Sequence, residues 1–467
     1  MSVPMHSHDA STEVLTQAIV RYAIDRIRLD PPPLDAPRAE AELRAMAGRT
    51  ISPRGIGGLE ALRVFGDVLA PATISSDHPR FLSFVPTAPT EASILFDLVV
   101  GASSIYAGSW MEGAGAVFAE NEALRYIADL AGFPAGAGGA FVSGGTAGNL
   151  SALVAARTRW RERAEGRLDR VRGLVIASKG AHSSVASAAR AIDADIVMAG
   201  ADAGGRLDLT ALRALVDSMD AADRERVMAV VATSGTTNAG VIDPLDGAAD
   251  VAAELGTWFH IDGAYGGAGL AAPSVRERYR GVERADSFIL DPHKWLFAPY
   301  DCCALVYRDP AVAYRAHTQH AEYLDVLHST DDDGHGGWNP SDYAHHLTRR
   351  ARGLPFWFSL ATYGTDAYRD AVEQTLQVAW DGAKEIAAAP HLELLMEPEL
   401  SVVLFTRKGW GPAEYQRWSD ALLRDGVAFV VPTSWAGEMV LRICVVNPRT
   451  TVDDIRLLIE SLEADPT

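Results

Sequence analysis

From about residue 140 the chain alternates short apolar runs with amphipathic segments, and this switching of period restricts the fold more than any other feature. "GAFVS" (139–143), "GLVIAS" (173–178), "ADIVMAG" (194–200), "RVMAVVATS" (226–234) and "TWFHID" (257–262) read as strands. Between them, "NLSALVAARTRWRERA", "SSVASAARAI", "DLTALRALVDSM" and "PLDGAADVAAELG" space their apolar residues as helices do. Such alternation predicts an α/β fold with a mainly parallel sheet and right-handed crossovers. In sheets of this kind ligands bind at the carboxyl ends of the strands.

The flanks differ. Residues 11–28 place Leu15, Ile19, Tyr22, Ala23 and Ile27 on one helical face, with Ser11 as cap and Pro31-Pro32-Pro33 as terminator. Two more helical patterns follow, at 38–47 and 58–69. Three helices make too small a core to stand alone, so they are expected to pack on another subunit or on the main body. Residues 308–350 are polar, rich in Gly, Asp and His, and without a sustained period, which predicts a long functional loop. After 351 come a helix (354–389), strands "SVVLFTR", "VAFVV" and "EMVLRICVV", and helices "AEYQRWSDALLRDG" and "TVDDIRLLIESLEA", the pattern of a small α+β module with an antiparallel sheet. We therefore expect a helical segment at 1–80, a large α/β domain at 81–350 and a small domain at 351–467.

Charge narrows the function. Lys plus Arg number 42 against 61 Asp plus Glu, a net charge of −19. That balance disfavours nucleic acid or an anionic membrane as the main partner. The cysteines, Cys302, Cys303 and Cys444, show no CxxC or metal-ligand spacing, which fits a reducing cytoplasm. The first fourteen residues carry no apolar signal core, and the most apolar stretch, 92–108, is broken by Asp97 and too short to span a bilayer. The expectation is a soluble cytoplasmic protein.

Five segments at predicted strand ends carry candidate chemistry. In "SFILDPHKWLFAPYDCCALVY" (287–307), Lys294 sits between two buried-looking runs, where a lysine is paired, exposed or used; a snorkelling strand-end lysine is the plain alternative. In "VSGGTAGNLSAL" (142–153), Gly144-Gly145-Thr146 opens a helix whose N-terminus suits phosphate, though a capped glycine turn reads the same way. The spacing matches neither nucleotide-binding glycine motif. Asp262 ends an apolar strand and needs a cationic or N–H partner, unless it bonds its own turn. His182 precedes a helix, as a capping or core histidine also would, and Thr236-Thr237 follow a strand. Taken together and in order, a phosphate loop, a histidine, a threonine pair, a carboxylate and a lysine are the parts pyridoxal 5′-phosphate requires. Its aldehyde needs a lysine, its pyridine nitrogen a carboxylate, and its phosphate a helix end.

On these residues the chain resembles the group II pyridoxal-phosphate-dependent amino-acid decarboxylases, and most closely their aromatic-L-amino-acid branch. "HPRFLSFVPTAP", "GSWMEGAG", "SGGTAGNLSALVAAR", "AHSSV", "HIDGAYGGAG", "DPHKWL" and "RRARGLPFWFSLATYG" have counterparts there in the same order. The resemblance implies an aspartate-aminotransferase-like large domain and a small-molecule L-amino acid as substrate, converted to its amine and carbon dioxide. It implies that Lys294 binds the cofactor covalently and that Asp262 pairs with the pyridine nitrogen. His182 and Ala264 would flank the ring, and Gly145, Thr146, Thr237 and His293 would complete the cofactor site. Tyr323, in "HAEYLDVLH", would protonate the substrate α-carbon, and it favours plain decarboxylation over aldehyde formation. The pocket would be formed by Phe84, Pro86, Thr87, Tyr106 and Gly108, the last two from the neighbouring subunit of a homodimer.

Some positions depart from the branch. Asp291 stands where animal relatives carry an asparagine that touches phosphate, Ser76 replaces a pocket tryptophan, and Gly108 stands where phenylalanine is common. An opened yet apolar pocket favours tryptophan, tyrosine or phenylalanine as substrate, while Arg80 and Arg442 keep an acidic substrate open. Three other readings remain: an aminotransferase or β-lyase on the same fold, a cofactor-binding protein without turnover, and a metal site built on His317, His320, His328 and His335. No metal is expected, because those spacings are irregular.

Overall fold

The computed structural model describes residues 5–6, 9–327 and 337–464. Seven strands form the main sheet: β1 (Gly138–Val142), β2 (Leu174–Ser178), β3 (Asp195–Ala199), β4 (Val227–Thr233), β5 (Trp258–Asp262), β6 (Ser287–Leu290) and β7 (Cys303–Tyr307). Their order is β1-β7-β6-β5-β4-β2-β3. The pairs from β6 through β5, β4 and β2 to β3 are parallel, and β7 runs antiparallel to both of its neighbours. Every residue of β2, β4, β5, β6 and β7 is buried, as a sheet covered on both faces demands. The expected mainly parallel α/β architecture is therefore present. The sheet register pairs Thr233 with Asp262 and Asp262 with Ile289, so the carboxyl ends of β4, β5 and β6 lie side by side.

A second sheet is antiparallel throughout: β8 (Leu392–Leu394), β9 (Val402–Arg407), β10 (Thr433–Trp435) and β11 (Glu438–Cys444), ordered β10-β11-β9-β8. The helices Leu354–Ala388, Pro412–Arg424 and Val452–Ser461 close a core with it around Ile386, Phe405, Trp418, Leu441 and Ile455. The long helix 354–388 breaks at Gly364, whose φ of 78° a side chain would resist.

Several expectations change. "VAFVV" is no ladder strand; Phe429 makes one isolated bridge with Phe81 instead. The segment 80–83 takes the vacant edge, with Leu82 N–H donating to the Phe429 carbonyl and Cys444 N–H to the Leu82 carbonyl. Part of the polar stretch after 308 is the helix Pro310–His317, capped by Asp309. The first helix, Ala10–Ile27, is capped by Asp9 rather than Ser11: Asp9 accepts from the backbone N–H groups of Ser11 and Thr12. None of that helix is fully buried, and Val14, Ile19 and Val20 are exposed. No helix among the described residues is long and apolar enough to cross a membrane.

Candidate active site

Lys294 lies on one short helical turn, Pro292–Trp295, directly after β6. Trp295 anchors it: the indole is buried, stacks on Tyr265 at 5.3 Å, and donates to Thr375 Oγ1 at 2.8 Å. His293 is fixed from the other side, its Nδ1 lying 2.7 Å from the Cys302 carbonyl. Lys294 is thus delivered into a cavity of about 290 Å³, lined also by Gly145, Thr146, Asn149, His182, Thr233, Thr237, Asp262, Ala264, Asp291 and His293. All eight cofactor-site residues expected from the sequence meet in this one space.

The helix Gly145–Arg163 enters the cavity by its N-terminus with no side-chain cap. Its free N–H groups and dipole suit an anion there. Glycine is needed at two positions for close approach. A Cβ on Gly145 would stand 3.1 Å from Ala264 Cβ, and one on Gly148 would come within 2.8 Å of Ile289 Cγ2.

Asp262 is 4% exposed, and both its oxygens accept hydrogen bonds. Oδ1 accepts from the Ala264 N–H at 3.1 Å and Oδ2 from the Asn149 amide at 2.9 Å. Asn149 is itself held. His260 Nε2 donates to Asn149 Oδ1 at 2.8 Å, Ser287 Oγ donates to His260 Nδ1 at 2.8 Å, and the Trp258 indole donates to Ser287 at 2.8 Å. The remaining Asn149 N–H reaches Ser184 Oγ at 2.8 Å, which donates on to His182 Nδ1 at 2.8 Å. One amide therefore branches to the two side chains expected at the ring nitrogen and at the ring face. Burial drives the His260 pKa down to about 4, so this imidazole is neutral and its tautomer follows from its two partners.

Lys294 Nζ is paired with Asp291 Oδ2 at 2.9 Å. Burial lowers the lysine pKa, and Asp291 more than restores it, leaving it above the ordinary value. Two hydrogen-bonding atoms in the cavity wall, Thr233 Oγ1 and Asp291 Oδ1, have no partner among the described residues. Buried polar atoms left so are unusual in a finished structure and suit a bound polar group. With the open helix end, the glycine cradle, the amine and the carboxylate, the residues present fit pyridoxal phosphate.

A second cavity of about 720 Å³ shares Tyr300 with the first and is lined by Ser76, Thr87, Phe297, Tyr363 and Tyr368 among others. Of the five expected substrate residues, Thr87 lies here. Pro86 is buried nearby in sequence, and Phe84 is 63% exposed with a φ of 53°. Tyr106 and Gly108 pack against the Leu347 carbonyl and line neither cavity of their own chain. The Tyr323 backbone falls within the short helix Glu322–Leu327, but its side chain lies outside the described residues, as do His328 and His335. His317 is buried with Nε2 on the Ser151 carbonyl. No cluster of three or more metal-ligand side chains forms among the described residues.

Asn149, Ser184, His260, Thr233 and Tyr300 were not singled out from the sequence. Asn149, Ser184, His260 and Tyr300 nevertheless lay inside quoted site motifs.

Fold and cavity together are those of a pyridoxal-phosphate-dependent enzyme. Residues 60–408 match the model of the pyridoxal-dependent decarboxylase conserved domain, and the chain belongs to that family. It is 28% identical over 401 residues to an aromatic-L-amino-acid decarboxylase of Bacillus atrophaeus, covering 83% of this chain and 81% of that one. It is 32% identical over 418 residues to an L-2,4-diaminobutyrate decarboxylase of Rhizobium meliloti (strain 1021), covering 87% and 82%. The structure of Oryza sativa TDC with PLP and tryptamine superposes with a TM-score of 0.89 at 23% identity, over 99% of this chain and 98% of that one. The protein is a pyridoxal-phosphate-dependent amino-acid decarboxylase.

Proposed function

We propose that the chain decarboxylates an aromatic L-amino acid, tryptophan, tyrosine or phenylalanine, to the corresponding amine. The observation that carries the reading is the apolar and aromatic wall (Phe297, Tyr300, Tyr363, Tyr368) of the larger cavity that meets the lysine cavity at Tyr300. An aromatic-L-amino-acid decarboxylase among the relatives supports it. A second reading, a diamino acid, is favoured by the 32% identical diaminobutyrate decarboxylase and by Glu91 in the same wall. Measuring carbon dioxide release from each amino acid in turn decides between them. Turnover of an aromatic substrate well above 2,4-diaminobutyrate upholds the first reading, and the reverse order replaces it.

Bound in the cavity, the cofactor supplies the sink for the electrons of the Cα–carboxylate bond. Lys294 would hold it covalently through its amine. Asp262, oriented by Asn149, would keep a proton on the pyridine nitrogen. His182 and Ala264 would flank the ring, while the helix start at Gly145-Thr146, with Thr237 and His293, would hold the cofactor in place. These contacts orient the scissile bond, which is the larger part of what a protein adds to such chemistry. Tyr323 would return a proton to the α-carbon.

The working unit in this proposal is a cytoplasmic homodimer. Leu95, Leu98, Val99, Met111 and Phe118 leave an exposed apolar face on the helices Glu91–Ser103 and Trp110–Leu130, beside the Tyr106–Gly108 segment that does not line its own cavity. A patch of this kind suits a partner surface, and a second copy would bring Tyr106 and Gly108 to the neighbouring site. The division at residues 80 and 350 is likewise proposed.

A further inference from the structure

Asp291 occupies an awkward position for an acid. It is 2% exposed and stands between the glycine expected to meet phosphate and the lysine expected to meet the aldehyde. Its Oδ2 accepts from Lys294 Nζ at 2.9 Å and lies 3.8 Å from His293 Nε2. The same oxygen would be 3.4 Å from a Cβ placed on Gly145. Its Oδ1 has no hydrogen-bond partner among the described residues. Left as a carboxylate, it would repel a phosphate held at Gly145; two like unit charges 4 Å apart cost about 4 kcal/mol at an effective dielectric constant near 20. Lys294, for its part, attacks an aldehyde only as the neutral amine. One proton transfer removes both obstacles.

We propose that Lys294 and Asp291 share a single proton, which sits on the lysine when that side chain is free and on the aspartate when the lysine holds the cofactor. In the step, an Nζ–H bond of the ammonium breaks and an O–H bond forms on Asp291. The neutral Lys294 amine adds to the aldehyde carbon, and the aldehyde oxygen leaves as water with the two remaining nitrogen protons as the C=N bond is completed. No proton passes to solvent. When a substrate amine displaces Lys294, the freed amine takes its proton back from Asp291 and is parked again as an ion pair. The inference rests on the proposed role of Lys294.

The surroundings suit a proton confined to this pair. Lys294 faces Asp291, then Asp262 and the Cys303 thiol at longer range, with Tyr300 on the cavity wall; Asp291 faces Lys294, His293 and Cys303. Burial pushes the Asp291 carboxyl up, but Lys294 and His293 together hold it below its usual value, which gives ammonium and carboxylate as the resting state. Burial keeps the Cys303 thiol protonated, so it does not compete for the proton.

Cofactor-free protein is mixed with pyridoxal phosphate and its infrared difference spectrum recorded. Wild type gains a carboxylic-acid carbonyl band that shifts in heavy water, and Asp291→Asn lacks it. In the same variant Lys294 has lost its buried anion, so half-maximal cofactor capture, followed by visible absorbance, moves to a proton concentration at least tenfold higher. Absence of the acid band in wild type, or an unmoved midpoint in Asp291→Asn, overturns the inference; the wild-type spectrum decides even if the variant does not fold. Borohydride trapping on Lys294 without an acid band sinks this inference alone, whereas trapping on another lysine removes the proposed role of Lys294 as well.

Discussion

Asn149 Nδ2 donates to Asp262 Oδ2 at 2.9 Å, and the amide that does so cannot turn over, because His260 donates to its oxygen at 2.8 Å. A flipped amide would set its oxygen against two acceptors and its N–H groups against a donor. Asp262 is thus aimed by a residue on a different element, the helix Gly145–Arg163, and not by its own strand alone.

Removing that donor should cost what a hydrogen bond to a charged group is worth, about 1.5–3 kcal/mol. Asn149→Ala is therefore expected to lower kcat by roughly tenfold to a hundredfold, with little change in KM. Asn149→Asp should lose more, since it sets a second acid against the first. Steady-state kinetics on the two variants check this, and the absorbance of the bound cofactor should shift with them.

Tyr323→Phe removes the hydroxyl proposed to protonate the α-carbon. Amine output should fall by about two to four orders of magnitude, the range for loss of a general acid. Aldehyde should appear in its place or the reaction should stall after carbon dioxide is released. Product analysis by mass spectrometry follows both; amine production at the wild-type rate would remove Tyr323 from the mechanism.

Met111 and Phe118 are exposed on the helix Trp110–Leu130. Placing glutamates at both, Met111→Glu with Phe118→Glu, should convert the proposed dimer to a monomer at micromolar concentration, because charge would be buried in an apolar interface. Light scattering measures the mass. Activity should fall with dimerisation if Tyr106 and Gly108 serve the neighbouring site.

Acid should destabilise the fold early. Burial pushes His78, His260, His317 and His346 down to about 4 from an ordinary value near 6.5. A base whose folded pKa is depressed favours the fold above its unfolded pKa, and that contribution is lost as pH falls from 6.5 toward 4. A shift of that size is worth up to roughly 3 kcal/mol per group. Asp243 acts in the opposite sense: burial raises it to about 6, so its penalty fades as pH falls from 6 toward 3.8. Four histidines against one aspartate leave a net loss, and the urea midpoint should drop between pH 7 and pH 4.5. His317→Gln keeps a donor for the Ser151 carbonyl and should flatten the dependence.

The parts of this molecule legible in its sequence were those with a strong local signal. The five strands read from residue 139 onward appear within a residue or two, because short apolar runs bounded by breakers mark strands, whether buried throughout as β2, β4 and β5 are or half-buried as β3 is. Lys294 and Asp262 stood out because a charge at the end of such a run is unusual. Asn149 gave no such signal: an asparagine inside a helix reads as ordinary until the helix is laid across the ends of β5 and β6. Asp291 was visible as a departure, yet its ion pair with Lys294 depends on the one-turn geometry of 292–295. "VAFVV" misled because its apolar run lies against segment 80–83, more than 340 residues earlier, and the pairing is a single bridge. The helix Pro310–His317 was missed because the polar residues after it dominated the window.

One amine, that of Lys294, is proposed to hold the cofactor. Borohydride reduction of the purified, cofactor-loaded protein, followed by peptide mapping, should find the pyridoxyl group on Lys294 alone and erase the visible absorbance. Label on another lysine, or loaded protein whose spectrum borohydride leaves unchanged, would contradict it.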